Sequence, residues 1–146
     1  MTNCRLIFCE KTAHFAPAAR RELSANSPRI VETRSIPGCE AALAESPESL
    51  IAIETTADNL EGVIGFLAQL HRRYPRAAAV ALLSANAATA EVLLAEAGAI
   101  AVFRSMLDAP AIARLAERKA ATARLSELSL QDFVAARLPW PAHASH

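Results

Sequence analysis

Five short apolar runs punctuate the chain, and longer stretches of helical periodicity separate them. The runs are Leu6-Ile7-Phe8-Cys9, a weaker one at Arg29-Ile30-Val31-Glu32-Thr33, then Leu50-Ile51-Ala52-Ile53, Ala79-Val80-Ala81-Leu82-Leu83 and Ile100-Ala101-Val102-Phe103. The first, third and fourth are apolar at every position rather than at alternate ones. A strand covered on both faces reads this way, because neither side of it meets water.

The intervening segments predict helices. The first is expected over Phe15 to Ala25, with Pro17 tolerated in its opening turn. A short alanine-rich one is expected over Cys39 to Glu45. Leu60 to Arg73 carries the clearest signal: Val63, Phe66, Leu67 and Leu70 recur at i, i+3, i+4 and i+7, a single apolar stripe. Asp58 or Asn59 is placed to cap its first turn, and Tyr74-Pro75 ends it. Ala87 to Ala97 follows, with Gly98 where a glycine stop belongs. The last helix starts at Asp108, with Pro110 in its first turn, and is expected to run to about Leu128. Beyond it, Ser129-Leu130-Gln131-Asp132 can open a short separate helix with Leu130, Phe133 and Val134 on one face, closed by Pro139-Trp140-Pro141.

Five strands alternating with five helices imply an α/β fold: three α/β/α layers around a five-stranded parallel sheet. Right-handed crossovers leave few topologies, and the flavodoxin-like order 2-1-3-4-5 is the commonest for this count. The domain is expected over residues 1–126, with 127–146 as a C-terminal tail.

Composition narrows the function. Apolar residues make up 53% of the 146, enough for a substantial core, and fifteen basic side chains balance fifteen acidic ones. A neutral chain lacks the electrostatic footprint of a nucleic-acid or anionic-membrane binder. No apolar run approaches the ~20 residues of a membrane span, and Met1-Thr2-Asn3-Cys4-Arg5 passes straight into a strand-like run, so no signal peptide is expected. Cys4, Cys9 and Cys39 are odd in number and lack metal-ligand spacing; a reduced, cytoplasmic setting accounts for them as small core hydrophobes. The four histidines are scattered, and no metal site or cofactor is expected. No Gly-x-Gly-x-x-Gly or Walker loop occurs among only four glycines, and no nucleophile elbow surrounds Ser84. No catalytic residues are therefore assigned, and the chain is not expected to be an enzyme.

Ligands of such folds sit beyond the carboxyl ends of the strands. Strand one ends in Glu10-Lys11, strand three in Glu54-Thr55-Thr56, strand four in Ser84-Ala85 and strand five in Arg104-Ser105. Thr55 and Thr56 read as turn hydroxyls. The segment from Ser49 to Gly62, with Leu82-Leu83-Ser84-Ala85 and Ala97-Gly98-Ala99, resembles the receiver domains of bacterial response regulators over residues 5 to about 125. The resemblance places Glu54 where the family has its phosphoacceptor Asp, Gly62 at a family glycine and Ser84 at the family's Ser/Thr. It also implies departures. Lys11 stands where one of an acidic pair of metal ligands belongs, Ser105 where a lysine belongs, Met106 where a proline belongs, and Val102 where strand five carries an aromatic switch residue.

Transfer to aspartate needs a carboxylate nucleophile, a carboxylate-held Mg²⁺ and a lysine on the phosphoryl oxygens. Glu10, Lys11, Glu54, Ser84, Arg104 and Ser105 thus read as a degenerate acceptor pocket. A Glu54/Lys11 pair is expected to lock it without phosphate. The expected function is a non-catalytic, receiver-like module in two-component-type signalling, acting by protein–protein interaction. Its partner is a separate protein or a second copy, since about twenty residues cannot hold an output domain. The resemblance places the interface on helix four, strand five and helix five, with Glu91, Leu94, Arg104, Leu107, Arg114 and Arg118. The tail's Phe133 and Trp140 are further docking candidates, or else pack on their own domain. Two alternatives stand: an atypical phosphoacceptor using Glu10 and Glu54 around a weak metal site, and a flavodoxin-fold enzyme with an unrecognised site.

Overall fold

The computed structural model describes residues 4–137, with side chains described through Leu125 and at Glu127. In chain order the elements are β1 (Arg5–Cys9), α1 (Phe15–Arg20), β2 (Arg29–Thr33), α2 (Ile36–Glu45), β3 (Leu50–Thr55), α3 (Leu60–Arg73), β4 (Ala78–Leu83), α4 (Glu91–Ala97), β5 (Ala101–Phe103) and α5 (Ala109–Arg137). Two 3-10 turns, Ala85–Ala90 and Met106–Asp108, precede α4 and α5. All strand pairs are parallel, in the order β2-β1-β3-β4-β5. This is the expected flavodoxin-like α/β architecture.

The three continuously apolar runs become the three central strands, and their side chains feed two cores. Leu6, Phe8, Leu50, Ala52, Val80 and Leu82 point to one face, where α1 and α5 cover them with Ala16, Ala19, Ile112 and Ala116. Ile7, Cys9, Ile51, Ile53, Ala79 and Ala81 point to the other, against Leu43 of α2, the α3 stripe Val63, Phe66, Leu67 and Leu70, and Leu94 of α4. Alternate side chains of a strand face opposite ways, so one run of apolar residues supplies both cores. Burying each of the larger aliphatic side chains contributes about 1.5–3 kcal/mol.

Several boundaries differ from expectation, each for a local reason. Helix α2 begins three residues early, because the Ser35 side chain accepts from the Gly38 N–H and Pro37 fits its first turn. Helix α1 stops at Arg20, well before Ala25. The stretch before Glu91 is 3-10 rather than α, with Ala87 out of helical geometry. Gly98 does end α4, at φ +125°, a conformation that costs a residue with a Cβ. The expected break near Leu128 does not occur: α5 continues unbroken to Arg137. At about 1.5 Å per residue it is roughly twice as long as the sheet's longest strands. Phe133 lies in α5 with its side chain outside the described residues, and Trp140 lies outside them altogether. Among the described residues no helix is long and apolar enough to cross a membrane.

Candidate functional site

The carboxyl ends of β1 and β3 lie side by side, with Cys9 opposite Ile53. The chain leaves them towards opposite faces of the sheet, from β1 to α1 and from β3 to α3. Where two such connections diverge, a crevice opens. Here it is a cleft of about 420 Å³. Cys9, Ile36 and Ile53 form its apolar floor. Lys11, Arg34 and Ser35 come from the ends of β1 and β2, and Glu54, Thr56, Asp58 and Asn59 from the end of β3 and the loop that follows it.

Glu10 does not join this cleft. It is 1% exposed, and its carboxylate turns towards the start of α1. Its Oε1 accepts from the Phe15 N–H at 2.8 Å, and its Oε2 from the Ala16 and His14 N–H groups at 3.2 and 3.4 Å. First-turn amides have no partner within their own helix, and a carboxylate also opposes the positive end of the helix dipole. The backbone of Glu10 is held as well, its N–H donating to the Thr33 carbonyl and its carbonyl accepting from Arg34 Nη1.

Glu54 is half-buried, and its Oε1 accepts from Lys11 at 3.2 Å. The donor is the Lys11 backbone N–H. The ion pair expected between these two side chains does not form; a main-chain contact joins the two residues instead. Asn59 fixes the loop after β3. Its Oδ1 accepts from the Thr56 N–H at 2.7 Å, and its Nδ2 donates to the Glu54 carbonyl at 2.8 Å. The expected cap on α3 is thus used differently, with the Asn59 side chain folded back onto its own loop.

The β4–β5 half of the edge is built otherwise. The Ser84 hydroxyl bonds Asn86 Oδ1, which also accepts from the Ala57 N–H at 3.1 Å. Arg104 pairs with Glu91 at 2.7 Å, both exposed. Ser105 caps the turn after β5, its hydroxyl accepting from the Leu107 N–H. Val102 is half-buried against the α2–α4 core. Of the expected interface residues, Glu91, Arg104, Leu107, Arg114 and Arg118 are exposed. Leu94 is a correction: it is fully buried in the core beneath α4 and presents nothing to a partner.

The Mg²⁺ that the resemblance implies is not matched by these donors. Glu10 spends its oxygens on three backbone amides, and a cation, Lys11, follows it. Among the described residues no group of three or more His, Cys, Asp or Glu side chains is placed to hold a metal ion. Burial pushes the thiol of Cys9 up, and that of Cys39 up to about 12, so both stay protonated and behave as hydrophobes.

Sequence reasoning missed Arg34, Ser35 and Asn86. The first two follow β2, so the rule that pointed to the other strand ends, applied to the weakest run as well, would have found them. Asn86 carried no such signal.

A three-layer α/β domain with this strand order and these loops is the architecture of receiver domains, and solved structures agree. A response regulator from Thermotoga maritima matches with a TM-score of 0.67 at 10% identity, covering 83% of this chain and 99% of its own. A response regulator receiver domain protein from Clostridium thermocellum matches at 0.62 and 12%, covering 80% and 95%. An atypical orphan response regulator, described as revealing a new phosphorylation-independent regulatory mechanism, matches at 0.61 and 15%, covering 78% and 95%. At such identities the likeness shows the receiver fold. No family model matches the chain, and no curated protein does.

Proposed function

We propose that this chain is a receiver-like regulatory module that works by protein–protein interaction and without phosphotransfer. The observation that carries the reading is the orientation of Glu10. A carboxylate buried against the first turn of α1 is withdrawn from metal binding, and the acceptor chemistry of receivers depends on a metal beside the acceptor. The serine at the family's lysine position serves as a turn cap, which leaves no cation there to meet a phosphoryl group. One structural neighbour is described as having a phosphorylation-independent regulatory mechanism, which supports the part of the reading that needs no phosphate.

The interaction surface proposed is the edge beside β5. Val92 and Leu93 on α4, Ile100 before β5, and Met106 and Leu107 after it are all more than half exposed, Leu107 at 89%. Large apolar side chains left this exposed are candidates for a contact site. A second copy of the chain is the first partner to test, by way of the unpaired edge of β5 and these residues.

Incubation with acetyl phosphate and Mg²⁺, read by intact mass, is expected to add no phosphate, and a stable gain of one phosphoryl group would overturn the reading. In parallel, Leu107→Glu is expected to abolish association in sedimentation while Tm stays unchanged. Equal association of wild type and variant would move the interface elsewhere.

A further inference from the structure

The cleft at the divergence of β1 and β3 has a distribution of charge that the receiver-like reading does not use. Its cations, Lys11 and Arg34, come from the ends of β1 and β2. Its acids, Glu54 and Asp58, come from the end of β3 and its loop. The two signs therefore enter the cleft from different strand ends, and Ile36 and Ile53 line it beside them. We propose that this cleft binds a free α-amino acid with an aliphatic side chain. Its carboxylate would lie against Lys11 and Arg34, its ammonium against Glu54 and Asp58, and its side chain on the isoleucine floor.

Four observations support this ligand class. The position is the topological switch point, where open parallel sheets hold their ligands. The volume of about 420 Å³ is in the range of small-molecule sites and accepts an amino acid with several waters. The walls are pre-organised. Arg34 is held by the Glu10 carbonyl and the Glu32 carboxylate, both at 3.3 Å, Glu54 by the Lys11 N–H, and the β3–α3 loop by Asn59. Groups fixed before binding cost less to order on binding. Finally, the charges sum to zero. A simple anion would share the cleft with two carboxylates, and a simple cation with Lys11 and Arg34; a zwitterion offers a partner to both signs. Among the described residues the Lys11 ammonium and the Asp58 carboxylate have no ion-pair partner, so both are available.

The test is calorimetric titration of the full chain with L-leucine, L-isoleucine and L-valine, set against isovalerate, isoamylamine and inorganic phosphate. Saturable one-to-one binding of at least one of the three amino acids is expected. Isovalerate, which lacks the ammonium, and isoamylamine, which lacks the carboxylate, should each bind about tenfold more weakly or worse, the loss expected of a missing charged contact. Lys11→Met and Asp58→Asn, both at exposed positions, should weaken binding about tenfold with Tm unchanged; Lys11→Met keeps the backbone N–H that holds Glu54. Absence of saturable heat with all three amino acids at millimolar concentration overturns the proposal. So does equal binding of isovalerate, isoamylamine or phosphate. These outcomes are independent of whether acetyl phosphate modifies the chain, so the failure of one reading is distinguishable from the failure of the other.

Discussion

The carboxyl edge of the sheet has two halves, and they are held together in different ways. Around β4 and β5 several polar groups pair with near neighbours in sequence, Ser84 with Asn86, Ser105 with the Leu107 N–H and Arg104 with Glu91, thirteen residues away, while Asn86 also reaches the Ala57 N–H. Around β1, β2 and β3 local bonds such as those of Glu10 and Asn59 are joined by others that tie distant segments together. Lys11 and Glu54 are 43 residues apart, Thr33 and Phe8 are 25, and Arg34 and Glu10 are 24. The first half is knit more by short-range bonds and leaves apolar side chains outside. The second adds long-range bonds and leaves a cleft lined by charges of both signs. The lesson is that charged and polar residues at the same sheet edge can be given structural work in one place and left lining an open cleft in another.

The largest expected effect falls on Glu10. Glu10→Ala strands three backbone amides near a buried position and should destabilise the domain by about 2–4 kcal/mol, read as a lowered urea midpoint. Glu10→Gln keeps an acceptor oxygen and should cost less than half as much. A near-neutral alanine variant would mean that α1 needs no cap from β1, and would collapse the contrast between the two halves. Asn59→Ala comes next. It removes partners from the Thr56 N–H and the Glu54 carbonyl and should cost about 1–2 kcal/mol. Arg104→Ala, on the locally knit side, should stay within about 0.5 kcal/mol, because exposed ion pairs gain little against water. Equal losses for the two variants would erase the distinction.

The smallest effect concerns Glu32, which bridges Arg20 at 3.0 Å and Arg34 at 3.3 Å. The hydrogen bond from Arg20 holds its carboxyl below the ordinary value of 4.5; burial opposes this, and a lesser hydrogen bond from Arg34 adds to it. A lowered folded value means that the stabilisation is complete above the unfolded value and disappears as pH falls through the folded one. Glu32→Gln should therefore cost about 0.5 kcal/mol at neutral pH, less in high salt, and nothing in strong acid. Urea midpoints of both proteins across the acid range check this.

Much of the fold was legible along the chain. The α3 stripe, the three doubly buried strands and the glycine stop at Gly98 each follow from a repeat or a backbone preference that a few neighbouring residues express. The strand order followed from counting elements and from the handedness of crossovers. Where local signals were weak, boundaries slipped. The cap and proline that start α2 were overlooked, α1 proved shorter, and α5 ran through a serine and leucine stretch that offered no glycine or proline to stop it.

The candidate site was legible only as a set of positions at strand ends. Which way each side chain turns depends on what folding brings beside it. Glu10 faces the first turn of its own succeeding helix, and Lys11 meets Glu54 through its main chain. Arg34 and Ser35 enter the cleft because β2 pairs beside β1. Leu94, a candidate contact on paper, is core because α4 lies with that face on α3 and β5. By itself the sequence determined the layers, the sheet order and the residue types at the strand ends, because periodicity and residue type are carried by neighbouring positions. The tertiary structure alone decided the cleft and which charged residues line it. Those depend on contacts between segments more than twenty residues apart, which no short pattern encodes.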